Sequence, residues 1–252
     1  AQPIFPSSSS RQQLVHLFLA IGLTSSAGEM AEAKSKKRSP PSEETFYEGT
    51  KLAIARPNYS KCARYNWENK RDFRRIRRDC EFWNPRNDGI QLLRVKKADL
   101  EKLLSPHISV KEIGRMDPNF VKYAKKGTYF RVKTKNGYEY YWKYIRGDRK
   151  LLARLEAIRS EAGEGINVNE GYRPYGFNIA SYLGDCAGAK DMRECVKEKS
   201  MHVSGKSVDM KRSARLLRAT KNLQARNGGG VGIGPTVIHV DTRKRIANWF
   251  YR

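Results

Sequence analysis

Residues 127–145 contain the pattern that most limits how this chain can fold. Their sequence, GTYFRVKTKNGYEYYWKYI, has two runs in which aromatic residues alternate with others. The runs flank Asn136-Gly137, a dipeptide that accepts the positive φ angles of a tight turn between strands. The pattern therefore predicts an antiparallel β-hairpin, and a fold that contains antiparallel sheet.

Other segments predict helices and strands in mixed order. Helical periodicity marks residues 65–83, 97–104, 149–162 and 213–226. Strand-like runs occupy residues 91–95 and 235–242. Residues 166–174 predict a strand that runs into a turn, and residues 202–210 predict a strand or a turn followed by a strand. The glycine-rich segment 228–234 lacks the Lys-Ser/Thr ending of a phosphate loop and follows a helix, so we expect a flexible rim or turn there. Together these elements predict an α+β fold with a mostly antiparallel sheet and flanking helices.

The N-terminal residues 1–45 have the composition of a targeting segment and a linker. An apolar stretch, 14–23, follows Arg11, and alanine-containing sites follow it. This order predicts a secretory signal peptide cut after Ala27 or Ala33. The Ser-, Lys- and Glu-rich residues that come next predict a disordered linker. No stretch is long enough for a transmembrane helix.

The balance of charge predicts a polyanionic partner. Lysine and arginine exceed the acidic residues so far that the net charge is +24. In residues 46–148 these cations alternate with aromatic residues, which suits either an anionic cell-wall polymer or nucleic acid. We expect this basic region to precede a separate domain at residues 149–252.

The four cysteines form two local pairs. Cys62 and Cys80 are near each other in sequence, as are Cys186 and Cys195. In an exported protein this spacing predicts two disulfides. A zinc site of four thiolates is the alternative, although neither pair has the short spacing of structural zinc ligands.

Two segments place histidine and aspartate where they could meet. Gly205 permits a tight reversal between His202 and Asp209, so these side chains could face each other across neighbouring strands. His239 and Asp241 are two residues apart in a β-branched run, and in a strand they point to the same face. A catalytic zinc site needs about three ligands of this kind and one open position. Polar residues scattered in loops would give the same spacing.

Three blocks resemble the zinc D-Ala-D-Ala carboxypeptidases and murein endopeptidases. SMHVSGKSVD, residues 200–209, resembles the SxHxxGxAxD signature of that family, with Ser207 in place of the usual alanine. GYRPYGFN, 171–178, resembles the GYR…N segment, and VIHVDTRKRIANWF, 237–250, resembles the strand that supplies the last ligand. The blocks occur in family order, so the resemblance implies the hedgehog/DD-peptidase fold over residues 150–252.

The resemblance also implies roles for individual residues. The ligands of a zinc ion, Zn2+, would be His202, Asp209 and His239. Arg173 would hold a substrate carboxylate and stabilise the developing oxyanion. Asn178 and Ser200 would contribute to substrate binding. Tyr172 and Trp249 would either line the cleft or belong to the core.

The general base is the point at which this chain departs from the family. Many members have an acid three residues before the last ligand, where this chain has Thr236. Asp241 is the candidate substitute, as a proton acceptor or as a group that orients His239. It could also close a turn by pairing with Arg243 or Arg245.

Two functions follow as expectations. The first is a secreted, periplasmic or wall-associated zinc metallopeptidase that cuts peptidoglycan stem peptides, as a D,D-carboxypeptidase or an endopeptidase. The second is a non-catalytic zinc-containing protein on the same scaffold that binds an anionic cell wall or nucleic acid. Nucleic acid is the less favoured partner, because no recognised nucleic-acid motif is visible.

Overall fold

The computed structural model describes residues 43–65 and 70–251, so the predicted signal peptide and nearly all of the predicted linker lie outside the described residues. Within them the strands are β1 (Glu43–Thr45), β2 (Lys51–Ala55), β3 (Leu92–Arg94), β4 (Arg115–Met116), β5 (Tyr129–Thr134), β6 (Gly137–Trp142), β7 (Tyr144–Ile145), β8 (Val168–Glu170), β9 (Ser207–Lys211), β10 (Gly230–Ile233), β11 (Val237–Asp241) and β12 (Ala247–Phe250). The α-helices are α1 (Lys70–Asp79), α2 (Val110–Ile113), α3 (Arg149–Ala162), α4 (Tyr175–Tyr182), α5 (Met192–Cys195) and α6 (Ala214–Asn227). None of the helices in the described residues is long and apolar enough to cross a bilayer.

The strands form three sheets, in the orders β1-β2-β3-β7, β4-β6-β5 and β8-β9-β11-β10-β12. Neighbouring strands are antiparallel except for β10 and β12, which are parallel. The hairpin predicted around Asn136-Gly137 is the pair β5 and β6. The predicted α+β class with mostly antiparallel sheet is confirmed.

The register of the five-stranded sheet puts four site residues in one row. Asp209 on β9 lies opposite His239 on β11. His239 lies opposite Gly232 on β10, which in turn lies opposite Trp249 on β12. Directly opposed residues share a face of the sheet, so these four positions lie side by side on the same face.

Two long helices, α3 and α6, pack against each other beside this sheet. Asp148 caps the start of α3, and Gly163 ends it with a left-handed φ of 64°. Ser213 caps α6 by accepting a hydrogen bond from the Leu216 N–H. Both helices were predicted from the sequence, and both have leucines on the buried face.

One hydrophobic core includes residues from both sides of the predicted boundary at 148/149. It joins Leu52 and Trp142 to Leu155, Val208 and Val240. The basic region 46–148 is therefore not packed around a separate core. A second cluster surrounds the two disulfides and combines Cys62 and Cys80 with residues of α4 and of the segment after it.

Two predictions about secondary structure are wrong. Residues 97–104 form a short 3-10 turn at Lys97–Asp99 and no α-helix, because the Leu104 N–H bonds to the carbonyl of Ile108 across a tight reversal. The glycine-rich segment contains β10, a buried strand rather than a flexible rim. The predicted strand at 235–242 is β11, and β12 follows it.

The cysteines form two disulfides, Cys62–Cys80 and Cys186–Cys195, as predicted. The described residues contain no free thiol, so a zinc site of four thiolates is ruled out. The second disulfide lies within residues 183–199, between α4 and the turn that carries His202; this segment is called the insertion below.

Candidate metal centre

The side chains of His202, Asp209 and His239 converge, and one potential ligand atom from each lies within 4.8 Å of the others. His202 Nε2 is 3.2 Å from His239 Nδ1 and 3.5 Å from Asp209 Oδ2. His239 Nδ1 is 2.8 Å from Asp209 Oδ1. Ligands at 2.0–2.2 Å from a tetrahedral zinc are roughly 3.3–3.6 Å apart. Small adjustments would therefore accommodate a metal among these three groups.

The turn that carries His202 fixes the orientation of its ring. Gly205 has a φ of 70°, and a Cβ there would collide with the carbonyl of Arg146, so the turn requires glycine. His202 Nδ1 is 2.7 Å from the carbonyl oxygen of Gly171. A carbonyl only accepts, so Nδ1 carries the proton, and the lone pair on Nε2 points at the other two ligands.

His239 is oriented in the same way by Asp241. His239 Nε2 is 3.3 Å from Asp241 Oδ2, on the side of the ring away from Asp209. Asp241 also accepts hydrogen bonds from the Gly230 N–H at 2.9 Å and from Arg243 Nε at 2.8 Å. Asp241 therefore accepts the Nε2 proton of His239. Nδ1, which donates to Asp209 while the ring is protonated, is the nitrogen that would bind a metal after losing its proton.

The position of Asp241 does not support its predicted role as the catalytic base. Asp241 is fully buried behind His239 and does not line the cavity in front of the ligands. Burial alone would raise its pKa, but hydrogen bonds from His239 and Arg243 hold the pKa well below its usual value. The structure supports the other two roles that the sequence allowed, orientation of His239 and pairing with Arg243.

The charges at the centre stabilise one another. Burial would raise the pKa of Asp209, but the attraction of His202 and hydrogen bonds with both histidines hold it well below its usual value. Burial would lower the pKa of His239, but hydrogen bonds to Asp209 and Asp241 raise it. The centre thus favours a negative carboxylate facing positive charge, which a divalent cation would also supply.

Two glycines of β10 make room for these side chains, a role that the sequence analysis missed. A Cβ on Gly232 would lie 2.5 Å from the ring of Trp249. A Cβ on Gly230 would collide with the carboxylate of Asp241. Alternating glycines in a strand are the available signal, because they mark places where other groups approach the backbone. Trp249 can therefore lie across β10, with its ring centroid 5.0 Å from that of His239.

Arg173 lines the cavity, but most of its donors are occupied inside the protein. Arg173 Nε is 3.0 Å from Glu170 Oε1, and its Nη2 bonds the second carboxylate oxygen. Its Nη1 donates to Tyr182 and to Asn178, at 3.1 and 3.3 Å. Glu170, which the sequence analysis did not single out, neutralises the guanidinium. Arg173 therefore has little capacity left to grip a carboxylate in two places.

Asn178 lies inside the protein, whereas Ser200 faces the cavity. Asn178 is fully buried and donates to the carbonyls of Val196 and Lys197, so it positions Arg173 and the insertion instead of contacting a ligand. This corrects its prediction as a substrate-binding residue. Ser200 lines the cavity, and its hydroxyl accepts from the His202 N–H at 3.3 Å.

The centre opens into a cavity of about 1360 Å³. Trp249 lines the cavity, which is one of the two locations predicted for these aromatic residues. Tyr172 is fully buried and belongs to the core, which is the other predicted location. Thr236 is exposed and does not line the cavity. Residues of the basic region, including Trp83 and Arg86, form part of its wall. No local sequence pattern connects residues 83–86 with the histidines, so this contribution was not predictable from the sequence.

The residues present fit a zinc ion. Two imidazole nitrogens and one carboxylate form the donor set, and the protons on the opposite ring nitrogens have acceptors in Gly171 and Asp241.

Comparisons of the chain with protein-family models, with curated proteins and with solved structures found no match.

Proposed function

We propose that this chain is a zinc-dependent peptidase that hydrolyses peptidoglycan stem peptides. The observation that carries the proposal is the convergence of His202, Asp209 and His239 at a cavity large enough for a peptide. The sequence blocks at 171–178, 200–209 and 237–250 support the same reading by their resemblance to zinc D,D-peptidases. Whether the chain removes a terminal residue or cuts a cross-link depends on how the insertion shapes the cavity.

A zinc ion, when bound, lowers the pKa of a coordinated water to about 7 and polarises a carbonyl. The chain's own residues hold the ligands in place: Gly171 orients His202, and Asp241 orients His239. Trp249 covers one side of His239 and limits access of water from that side. Besides Asp209, the carboxylates that line the cavity and could take up a proton are Asp191, Glu194 and Glu198.

Two disulfides suit an oxidising compartment, so we place the protein outside the cytoplasm, in the periplasm or at the cell wall. The net charge of +24 would favour adhesion to an anionic wall polymer.

The test is digestion of purified peptidoglycan by the zinc-loaded protein, with the muropeptides separated by chromatography and mass spectrometry. Wild type should release or shorten stem peptides, and His202→Ala should not. His107→Ala is the matched control, because His107 is half-exposed and pairs with Glu156 away from the cavity. Equal activity of all three proteins would refute a peptidase centred on His202.

A second function is favoured by one observation. Asp241 lies behind His239, and Thr236 is outside the cavity, so neither supplies a base beside the ligands. A non-catalytic zinc-containing protein that binds the wall through its positive charge would have no need of such a base. Bound zinc with an unchanged muropeptide profile would support this second function.

A further inference from the structure

One face of the hairpin formed by β5 and β6 carries tyrosines interleaved with cationic side chains. The register places Arg131 opposite Tyr140 and Lys133 opposite Tyr138. Tyr129 is two residues before Arg131 on the same strand, so it extends the row on the same face. Arg131, Lys133 and Tyr138 are exposed, whereas Tyr129 and Tyr140 are half-buried. The face is therefore open to a partner at the end nearest the turn.

The side chains of this row contact one another directly. The guanidinium carbon of Arg131 lies 3.5 Å from the ring centroid of Tyr138, well within the range of a cation–π contact. The ring centroids of Tyr129 and Tyr140 are 5.8 Å apart, with their planes at 66°. Because these diagonal neighbours hold each other's orientation, the row presents planar groups in fixed positions.

The charge on this face is positive. The hairpin contains three cationic residues and one acidic residue, Glu139. Glu139 alternates along β6 with the tyrosines on either side of it, so it points to the other face, where it pairs with Arg115 at 2.8 Å. In the part of the chain that the structure describes, Arg131 and Lys133 make no ion pair. A polyanion would supply the missing counter-charge.

We propose that this face of the hairpin binds single-stranded nucleic acid, with bases stacked on Tyr138 and Arg131 and phosphates near Lys133. Planar bases stack on tyrosine rings and guanidinium planes, and cations attract the phosphates. A single strand fits better than a duplex, because the faces of paired bases are already covered by their neighbours. An anionic polymer without bases would use the charges alone and leave the rings without a role.

This face is separate from the candidate metal centre. The residues that line the cavity come from other parts of the chain. Binding at the hairpin therefore requires neither the zinc ligands nor the cavity, and it goes beyond the proposed peptidase function.

The test measures binding of the full chain to a fluorescein-labelled oligothymidylate of about 15 nucleotides by fluorescence anisotropy. Tyr138→Ala should weaken binding about tenfold, the typical effect of removing one stacking contact with a base. Tyr138→Phe keeps the ring and should bind like wild type. Phe250→Ala is the matched control, because Phe250 is an exposed aromatic residue on β12, in a different sheet.

A second pair of measurements separates stacking from charge. Inorganic polyphosphate with the same number of phosphates has no bases, so it should displace the oligonucleotide at least about tenfold less effectively. Lys133→Gln should reduce the slope of log Kd against log salt concentration by about 0.7, the contribution of one phosphate contact on a single strand. Lys150→Gln, at an exposed position on α3, should leave the slope unchanged.

Three results would overturn the proposal: no binding of the oligothymidylate at about 0.15 M salt, equal losses in Tyr138→Ala and Phe250→Ala, or equal displacement by polyphosphate. The last result would mean that the face holds a polyanion by charge alone, as it would hold a wall polymer. These measurements do not depend on hydrolysis of peptidoglycan, so the hairpin site and the peptidase can fail separately.

Discussion

Asp241→Asn distinguishes a residue that orients a metal ligand from a catalytic base. In the structure the Asp241 carboxylate contacts His239 Nε2 at 3.3 Å and the Arg243 guanidinium, on the far side of the ring from Asp209. Asparagine has nearly the same volume and can still accept from the Gly230 N–H, which is 2.9 Å away. Its amide group would place donors against the donors of His239 and Arg243.

The expected losses follow from these contacts. Removing a carboxylate that orients a metal-bound histidine typically weakens metal binding 10- to 100-fold, or about 1.4–2.8 kcal/mol. Arg243 also loses its counter-charge. Its side chain is 38% exposed, so water compensates in part, and we expect the free energy of unfolding to fall by about 2 kcal/mol rather than the full cost of a buried unpaired charge.

The assay is zinc affinity by competition with a chromophoric chelator, followed by peptide hydrolysis at saturating zinc. We expect weaker zinc binding and a restored rate once the site is saturated. Asp185→Asn, at an exposed position outside the cavity, is the control. Unchanged zinc affinity together with a rate that zinc cannot restore would mean that Asp241 acts as the base after all.

Three other predictions concern stability and packing. Burial raises the pKa of the Glu81 carboxyl from 4.5 to about 7. The free energy of unfolding should therefore fall by about 3 kcal/mol as the pH rises between these two pKa values. Urea unfolding of Glu81→Gln at a series of pH values should not show this fall. Gly232→Ala should displace the Trp249 ring, lower stability by about 1–3 kcal/mol and change the tryptophan fluorescence, while an unchanged spectrum would contradict the packing described. Replacing both Cys186 and Cys195 by alanine opens a loop with a sequence separation of 9, which should cost about 2–3 kcal/mol by the same denaturation measurement; no loss would mean that the segment is held by its other contacts.

The parts of the fold that the sequence predicted are those set by local patterns. Asn136-Gly137 encodes its own turn, and the leucine spacing of residues 149–162 encodes a helix whatever surrounds it. The segment 97–104 has a similar spacing, but its backbone bonds to Ile108 after a tight reversal. That alternative pairing arises from tertiary contacts, which a pattern within one segment does not reveal.

The candidate site was predictable to the extent that its residues lie in strands. His239 and Asp241 share a face because they are two apart in β11, and the sequence predicted this correctly. It did not predict which side of the His239 ring Asp241 would occupy, because that depends on Arg243 and on the space left by Gly230. The pairing of Arg173 with Glu170 and the presence of Arg86 in the cavity wall are likewise consequences of packing.

The central claim is that His202, Asp209 and His239 form one zinc site. Its most direct test is the zinc content of purified, dialysed protein by mass spectrometry, for wild type and for His239→Ala. We predict about one zinc ion per chain for wild type and a small fraction of that for the variant. Wild-type protein without stoichiometric zinc after incubation with the metal would contradict the account.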